Sequence, residues 1–310
     1  SAGVLGLETP VERLQHMNQP AYEFYLNRNP GIDLAADRLE IGVCAQHNNG
    51  GIDVDLWWRS SIAGLFPVGE AAGAHGVARP GGAALNSAQV GATRAAQWIA
   101  AREQGAARAD EGWQELAGDA LQKARSLLEA ACGREESSGV LIDDVLMEST
   151  RAMSDNAGLV RSRQGLEELA RNVAEWRRRV VDECVVDPTS RRSVDRLFLV
   201  RDILDVQAVY VAAMLDHLDH GVGSRGSVLY TDPDGDLPVS WWNDGADLDV
   251  EEIFRHRLDS KAHHGVTQRV SVDAVGEAIH AHWGPVRPIP TEDEFLENVW
   301  KTYRVDHNIH

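Results

Sequence analysis

An α+β fold, predominantly α, is what three features of this 310-residue chain predict. A β-rich stretch lies between about residues 39 and 70, a glycine-rich turn leads into a long Ala-rich helix near residue 82, and helical periodicity fills about 107 to 220. Taken in order, Val11 to Arg28 has a mixed apolar pattern interrupted by Pro20, which predicts one or two short helices. Leu39 to Ala45, LEIGVCA, alternates and reads as a strand; Ile52 to Leu56 reads as a second strand and Leu65 to Val68 as a third, buried one. A helix from about Gly82 to Glu103 ends before Gly105, and helices near 110–132, 138–155, 162–184 and 191–217 follow, broken by Gly133, Gly158 and Pro188. After Gly226, TDPDGDLP and WWNDGAD are turn-rich and predict an irregular arm with short helices at 249–258, 271–282 and 291–301.

Residues 64–99 carry the chemistry: a short apolar segment, a glycine-rich turn holding His75 and Arg79, then the Ala-rich helix. Glycines at 73, 76, 81 and 82 let backbone N–H groups approach a ligand. The helix that starts near Gly82 or Ala83 aims the positive end of its dipole at whatever sits there. An anionic or electron-rich ligand is implied.

Composition narrows the field further. With 48 acidic against 30 basic residues the net charge is −18, which argues against nucleic acid as a partner, because that affinity depends on neutralising phosphates. No apolar run approaches the roughly 18 residues that read as a membrane span. Cys44, Cys132 and Cys184 are few and widely spaced, as expected of free thiols in a reducing, cytoplasmic setting, and they match neither zinc nor iron–sulfur spacing.

Three ordered motifs carry a family resemblance. QHNNGGI (Gln46 to Ile52), GLFPVGE (Gly64 to Glu70) and HGVARPGGAAL (His75 to Leu85) resemble the H-Y-T-M-G-G-I, G-L-Y/F-A-x-G-E and H-G-A-N-R-L-G-x-N-S-L motifs of the fumarate reductase, succinate dehydrogenase and aspartate oxidase flavoproteins. MSDNAGLVRSRQGLEELARNVAEW (Met153 to Trp176) and LFLVRDILDVQAVYVAAM…GSRG (Leu197 to Gly226) are similar to the same family's M-x-x-x-A-G-I-x-R helix and its E-S-R-G segment. The match covers roughly residues 25 to 230. The family's G-x-G-x-x-G turn and its capping domain are absent, and Ser1 to Gly6 show neither an initiator Met nor a targeting pattern. The expectation is the C-terminal portion of a larger FAD-dependent flavoprotein, or one subunit of a split one. Its parts would be the C-terminal part of an FAD-binding, Rossmann-like domain with short strands (1–104), a helical domain (105–226) and a C-terminal arm (227–310).

The resemblance assigns roles. Arg79 corresponds to an arginine that binds a substrate carboxylate beside the flavin, a task suited to its planar fork; a turn-stabilising ion pair is the other reading. His75 is either a flavin-side partner or a structural turn histidine. At the position of the family's substrate histidine stands Gln46, with His47 one residue later, so Gln46 and Asn49 offer uncharged hydrogen bonds and His47 serves as catalyst only if the backbone is locally rearranged. Glu70, after a strand expected to be buried, would face FAD hydroxyls or pair internally. Ala83 and Ala84 replace an Asn-Ser pair, so cofactor binding would lean on backbone groups of Gly81, Gly82, Ala83, Ala84 and Leu85, with Asn86 and Ser87 one turn on. Ser224 and Arg225 match E-S-R-G with Gly223 in place of the glutamate, and Arg225 is expected to be a structural anchor between the helical and flavin domains.

Other features carry less. Asp232, Asp234 and Asp236 lack the closing glutamate of a calcium loop, and the pairs His263/His264 and His280/His282 lack metal spacing, so no metal is expected. Trp57, Trp58, Trp241 and Trp242 read as packing residues or interface anchors. The leading reading is hydride transfer between flavin and a carboxylate-bearing substrate in the complete protein, with the chain inactive alone and partnered by an N-terminal FAD-binding portion. The alternative is a non-catalytic helical assembly subunit that pairs through exposed apolar surface with another chain or itself.

Overall fold

The structure is a computed structural model. It describes residues 6–37, 50–73, 75, 82–102, 113–134, 139–226, 228–239, 250–273, 278–286, 288, 291, 298, 301–302 and 304–305. The fold is α+β and predominantly α, and the chain divides into two compact units, 1–48 and 49–310.

In the first unit, α1 (Pro10–Met17) starts with a reciprocal cap: Glu12 N–H donates to Thr9 Oγ1 at 3.2 Å while Thr9 N–H donates to Glu12 Oε2 at 2.8 Å. The backbone N–H groups of Thr9 and Glu8, both donating to Glu12 Oε2, hold the exposed Glu12 carboxyl below its ordinary value. α2 (Gln19–Arg28) follows at once. The break falls at Asn18, not at Pro20, because proline is tolerated in a first helical turn and Asn18 both ends α1 and caps α2.

The second unit is built on helices. α3 (Ala83–Arg102), α4 (Trp113–Cys132), α5 (Ile142–Ala157), α6 (Arg163–Asp182) and α7 (Arg191–Asp219) lie where their periodicity predicts. Leu166, Leu169, Val173, Trp176 and Val180 of α6 alternate spacings of three and four, as do Leu197, Val200, Leu204, Gln207 and Val211 of α7. Each set forms one buried stripe, and the two stripes join Ile142 and Val145 of α5 in a single core. Each buried Leu, Ile or Val among them contributes roughly 1.5–3 kcal/mol on burial. At the surface, Arg134 caps the end of α6, donating to Val181 O and Cys184 O, both at 2.8 Å. Cys184 is fully buried, and burial pushes its thiol up to about 11, so it packs as an inert residue.

Short strands tie these helices together. β1 (Val140–Leu141) pairs parallel with β3 (Cys184–Val185), and β2 (Val160–Arg161) pairs parallel with β4 (Leu229–Asp236). β5 (Val266–Val272) and β6 (Ile279–Pro285) form an antiparallel hairpin, in register from Val266↔Pro285 to Val272↔Ile279.

Several expected elements differ. Residues 52–56 and 65–68 form no strand: Asp55 N–H turns back to Arg59 O at 3.0 Å, and Pro67 has no N–H to give to a ladder. The arm expected to be irregular and helical contains β4 where TDPDGDLP reads as turn, a single 3₁₀ turn (Glu252–Phe254) within 249–258, and the β5–β6 hairpin in place of a helix at 271–282. The strand expected at Leu39 to Ala45, Trp241 and Trp242, and most of the helix expected at 291–301 lie outside the described residues. Among the described residues no helix is long and apolar enough to cross a membrane.

Candidate functional site

The site is assembled from backbone first. Ile52 N–H donates to Ala71 O at 2.8 Å, and this lays the Gly50–Gly51 pair against the 3₁₀ turn Gly69–Ala72 and its cap Gly73. Gly73 has φ +63, and a Cβ there would stand 2.5 Å from Gly51 N. Only glycine permits so close an approach of two backbones. The ends of the first two motifs are thereby joined. Gly69 packs on Ala88 of α3, its missing Cβ falling 3.2 Å from the Ala88 Cβ, so the same turn is brought against the early turns of α3.

An aromatic ladder locks the intervening loop to α3. Arg59 lies 4.0 Å above the Trp98 ring, Trp98 and Trp57 have centroids 5.9 Å apart, and Arg94 lies 4.3 Å from the Trp57 ring. Asp55 sets the bend: Oδ1 accepts Trp57 N–H at 2.8 Å and Arg59 N–H at 3.0 Å, while Arg59 Nε donates to Oδ2 at 2.6 Å. Partial burial raises the Asp55 carboxyl, but these bonds from Arg59 and Trp57 outweigh it and hold the group below its ordinary value. Trp58, at φ +58, rests its indole on Gly91, where a Cβ would stand 2.6 Å from Nε1. From elsewhere in the unit, Tyr210 of α7 packs on Gly50, its ring 3.6 Å from where a Cβ would stand, and Arg269 of β5 pairs with Asp53 at 2.9 Å.

The expected site residues fall into three groups. Gly82, Ala83, Ala84 and Leu85 stand at the start of α3, whose first N–H groups have no intrahelical acceptor; among the described residues nothing lies within 4 Å of a Cβ at Gly82, and Leu85 is 72% exposed. Glu70 lies in the 3₁₀ turn packed against α3 but is exposed rather than buried, because the preceding segment is not a core strand; His75 is half-buried. Gln46, His47, Arg79 and Gly81 lie outside the described residues. Ser224 is buried and exchanges hydrogen bonds with the Tyr230 backbone, and Arg225 pairs at 3.7 Å with Asp259 of the C-terminal arm. Asp232 pairs with Arg257 at 2.7 Å.

Sequence reasoning missed the Asp55 bend, Tyr210 and Asp53. The Asp55-to-Arg59 spacing was a readable signal, since an aspartate commonly bonds the backbone two residues on. Nothing local marks Tyr210 or Asp53.

No family model matches the chain. A fumarate reductase (CoM/CoB) subunit from Methanothermobacter marburgensis is 39% identical over 66 residues, 21% of this chain and 12% of that protein. Among solved structures, a mutant of E. coli quinol fumarate reductase FrdA superposes with TM-score 0.66 at 20% identity, covering 91% of this chain and 43% of that one. Mycobacterium smegmatis Sdh1 in complex with UQ1 gives 0.58 at 17% identity, covering 97% and 45%. The chain thus spans less than half the length of the solved proteins it matches. In fold, and over one stretch in sequence, the chain resembles the C-terminal portion of a fumarate reductase or succinate dehydrogenase flavoprotein subunit.

Proposed function

We propose that the chain supplies the flavin-closing and substrate-clamping part of an FAD-dependent oxidoreductase. One observation carries this reading: the Gly51–Gly73 backbone junction holds the first two motifs together against α3, just behind its open N-terminus. The first-turn N–H groups of Ala83, Ala84 and Leu85, which have no acceptor within the helix, with nothing among the described residues within 4 Å of a Cβ at Gly82, fit an electron-rich ring edge or an anion. FAD, when bound, would supply the hydride chemistry. The chain's own part is to orient and bind. The first turn of α3 donates backbone hydrogen bonds, Glu70 and His75 flank the cofactor side, and Gly81 lets the backbone approach. Arg79 forks onto a substrate carboxylate.

Exposed Leu85, Val90 and Ile99 on α3 favour a second reading, a non-catalytic assembly subunit docking through that helix. Flavin absorbance separates the two. The chain combined with an N-terminal FAD-binding portion is expected to retain a stoichiometric visible flavin band through gel filtration. A stable but colourless complex would favour assembly alone.

A further inference from the structure

The β5–β6 hairpin grips the last turn of α7 through one carboxylate. Trp283 Nε1–H donates to Asp216 Oδ2 at 2.8 Å, Gln268 Nε2–H donates to the same oxygen at 2.6 Å, and Gln268 Nε2–H also reaches Ala213 O at 3.0 Å. A carboxylate at a helix C-terminus faces the negative end of the dipole, so Asp216 depends on these donors. Three imidazoles surround the Trp283 indole, with ring centroids 5.5 Å away for His217, 4.9 Å for His220 and 5.6 Å for His263. Arg269, next to Gln268 on β5, projects from the opposite face of the strand and pairs with Asp53 at 2.9 Å, one residue beyond the Gly50–Ile52 motif. One strand therefore holds α7 on one side and the motif loop on the other.

We propose that this hairpin is an acid-released clasp, in which protonation of His217, packed against Trp283, frees β5–β6 from α7 and slackens the Asp53 segment. The proposal stands on the hairpin's own contacts and does not require the flavin reading.

The groups facing His217 come from every neighbouring element: Asp216 and His220 on α7, Arg225 after it, Arg161 on β2, the Tyr230 hydroxyl of β4 at 3.4 Å from Nδ1, and His263 before β5. Burial first, then Arg225, lowers the His217 pKa from its ordinary 6.5, with Arg161 and His263 acting the same way and Asp216 opposing them. A lowered imidazole pKa means that the closed form binds fewer protons than the open one. Its contribution is therefore fully present above about pH 6.5 and is lost as pH falls below that value. His220 is exposed and lies 3.3 Å from Asp216 Oδ1. Further out, Asp219 is paired with Arg163 at 2.8 Å, and Asp259 lies between Arg225 and His264.

Hydrogen–deuterium exchange of the whole chain, corrected for intrinsic rates, at about pH 7.5 and about pH 5.5 tests the clasp. Protection of β5, β6 and residues 53–55 is expected to fall with acidification, by at most about tenfold per pH unit for each proton taken up, while α6 amides stay level. His217→Gln should flatten that fall and His220→Gln should not. Should His217→Gln leave the hairpin unprotected at both pH values, His263→Gln decides: a shallower fall supports the clasp and an unchanged fall overturns it. Hairpin protection in the unaltered chain that does not change with pH would also overturn it.

Discussion

Replacing Arg79 with lysine in the complete protein is expected to lower its reductase rate by roughly two to three powers of ten, the scale of losing one transition-state contact worth about 2.7–4 kcal/mol. Lysine keeps the charge and loses the planar fork, so what disappears is bidentate orientation of a carboxylate rather than attraction to it. Flavin content should remain nearly unchanged. Steady-state rates normalised to bound flavin make the distinction. A variant that sheds FAD yet keeps its rate per flavin would move Arg79 into cofactor binding, and a variant normal in both would make Arg79 a turn residue.

Truncating Leu169 to alanine is expected to lower the stability of the 49–310 unit by about 2–5 kcal/mol, because this side chain is fully buried in the α5–α6–α7 core and its neighbours cannot close the cavity. Leu199 on α7 is 52% exposed, and Leu199→Ala should change stability by no more than about 0.5 kcal/mol. Urea unfolding followed by circular dichroism compares the two. Equal losses would show that the α6–α7 stripe is not the core.

The contrast between these leucines also shows what a sequence displays of its own fold. Helices α3 to α7 were legible because 16 to 29 residues repeat the 3.6-residue period often enough to mark a face, as the three–four spacing of α6 and α7 does. The hairpin was not. Val266, Gln268 and Val270 do alternate inward, but seven residues carry too few periods to outweigh the helical reading of 271–282, and the strands become strands only by pairing with each other. The strand expected at 65–68 failed for a related reason: an apolar LFPV run reads as core, yet its proline denies it a sheet partner.

At the site, glycine spacing announced a close backbone approach without saying to what. Gly73 meets Gly51, and Gly50 meets Tyr210, some 160 residues on. Such partners are set by tertiary packing, and no local pattern around QHNNGGI contains them. The Arg59–Trp98–Trp57–Arg94 ladder is intermediate. Four residues of types that stack were visible, but their order in space depends on the Asp55 bend.

The central claim is that the open start of α3, backed by the Gly51–Gly73 junction, lines the flavin site of the complete protein. An experimental structure of that protein with FAD bound measures it most directly. The backbone nitrogens of Ala83, Ala84 or Leu85 are expected at hydrogen-bonding distance from the flavin, about 2.7–3.2 Å, with Arg79 facing the same side of the ring. Flavin bound elsewhere, with the first turn of α3 pointing into solvent or into a contact with another chain, would contradict it.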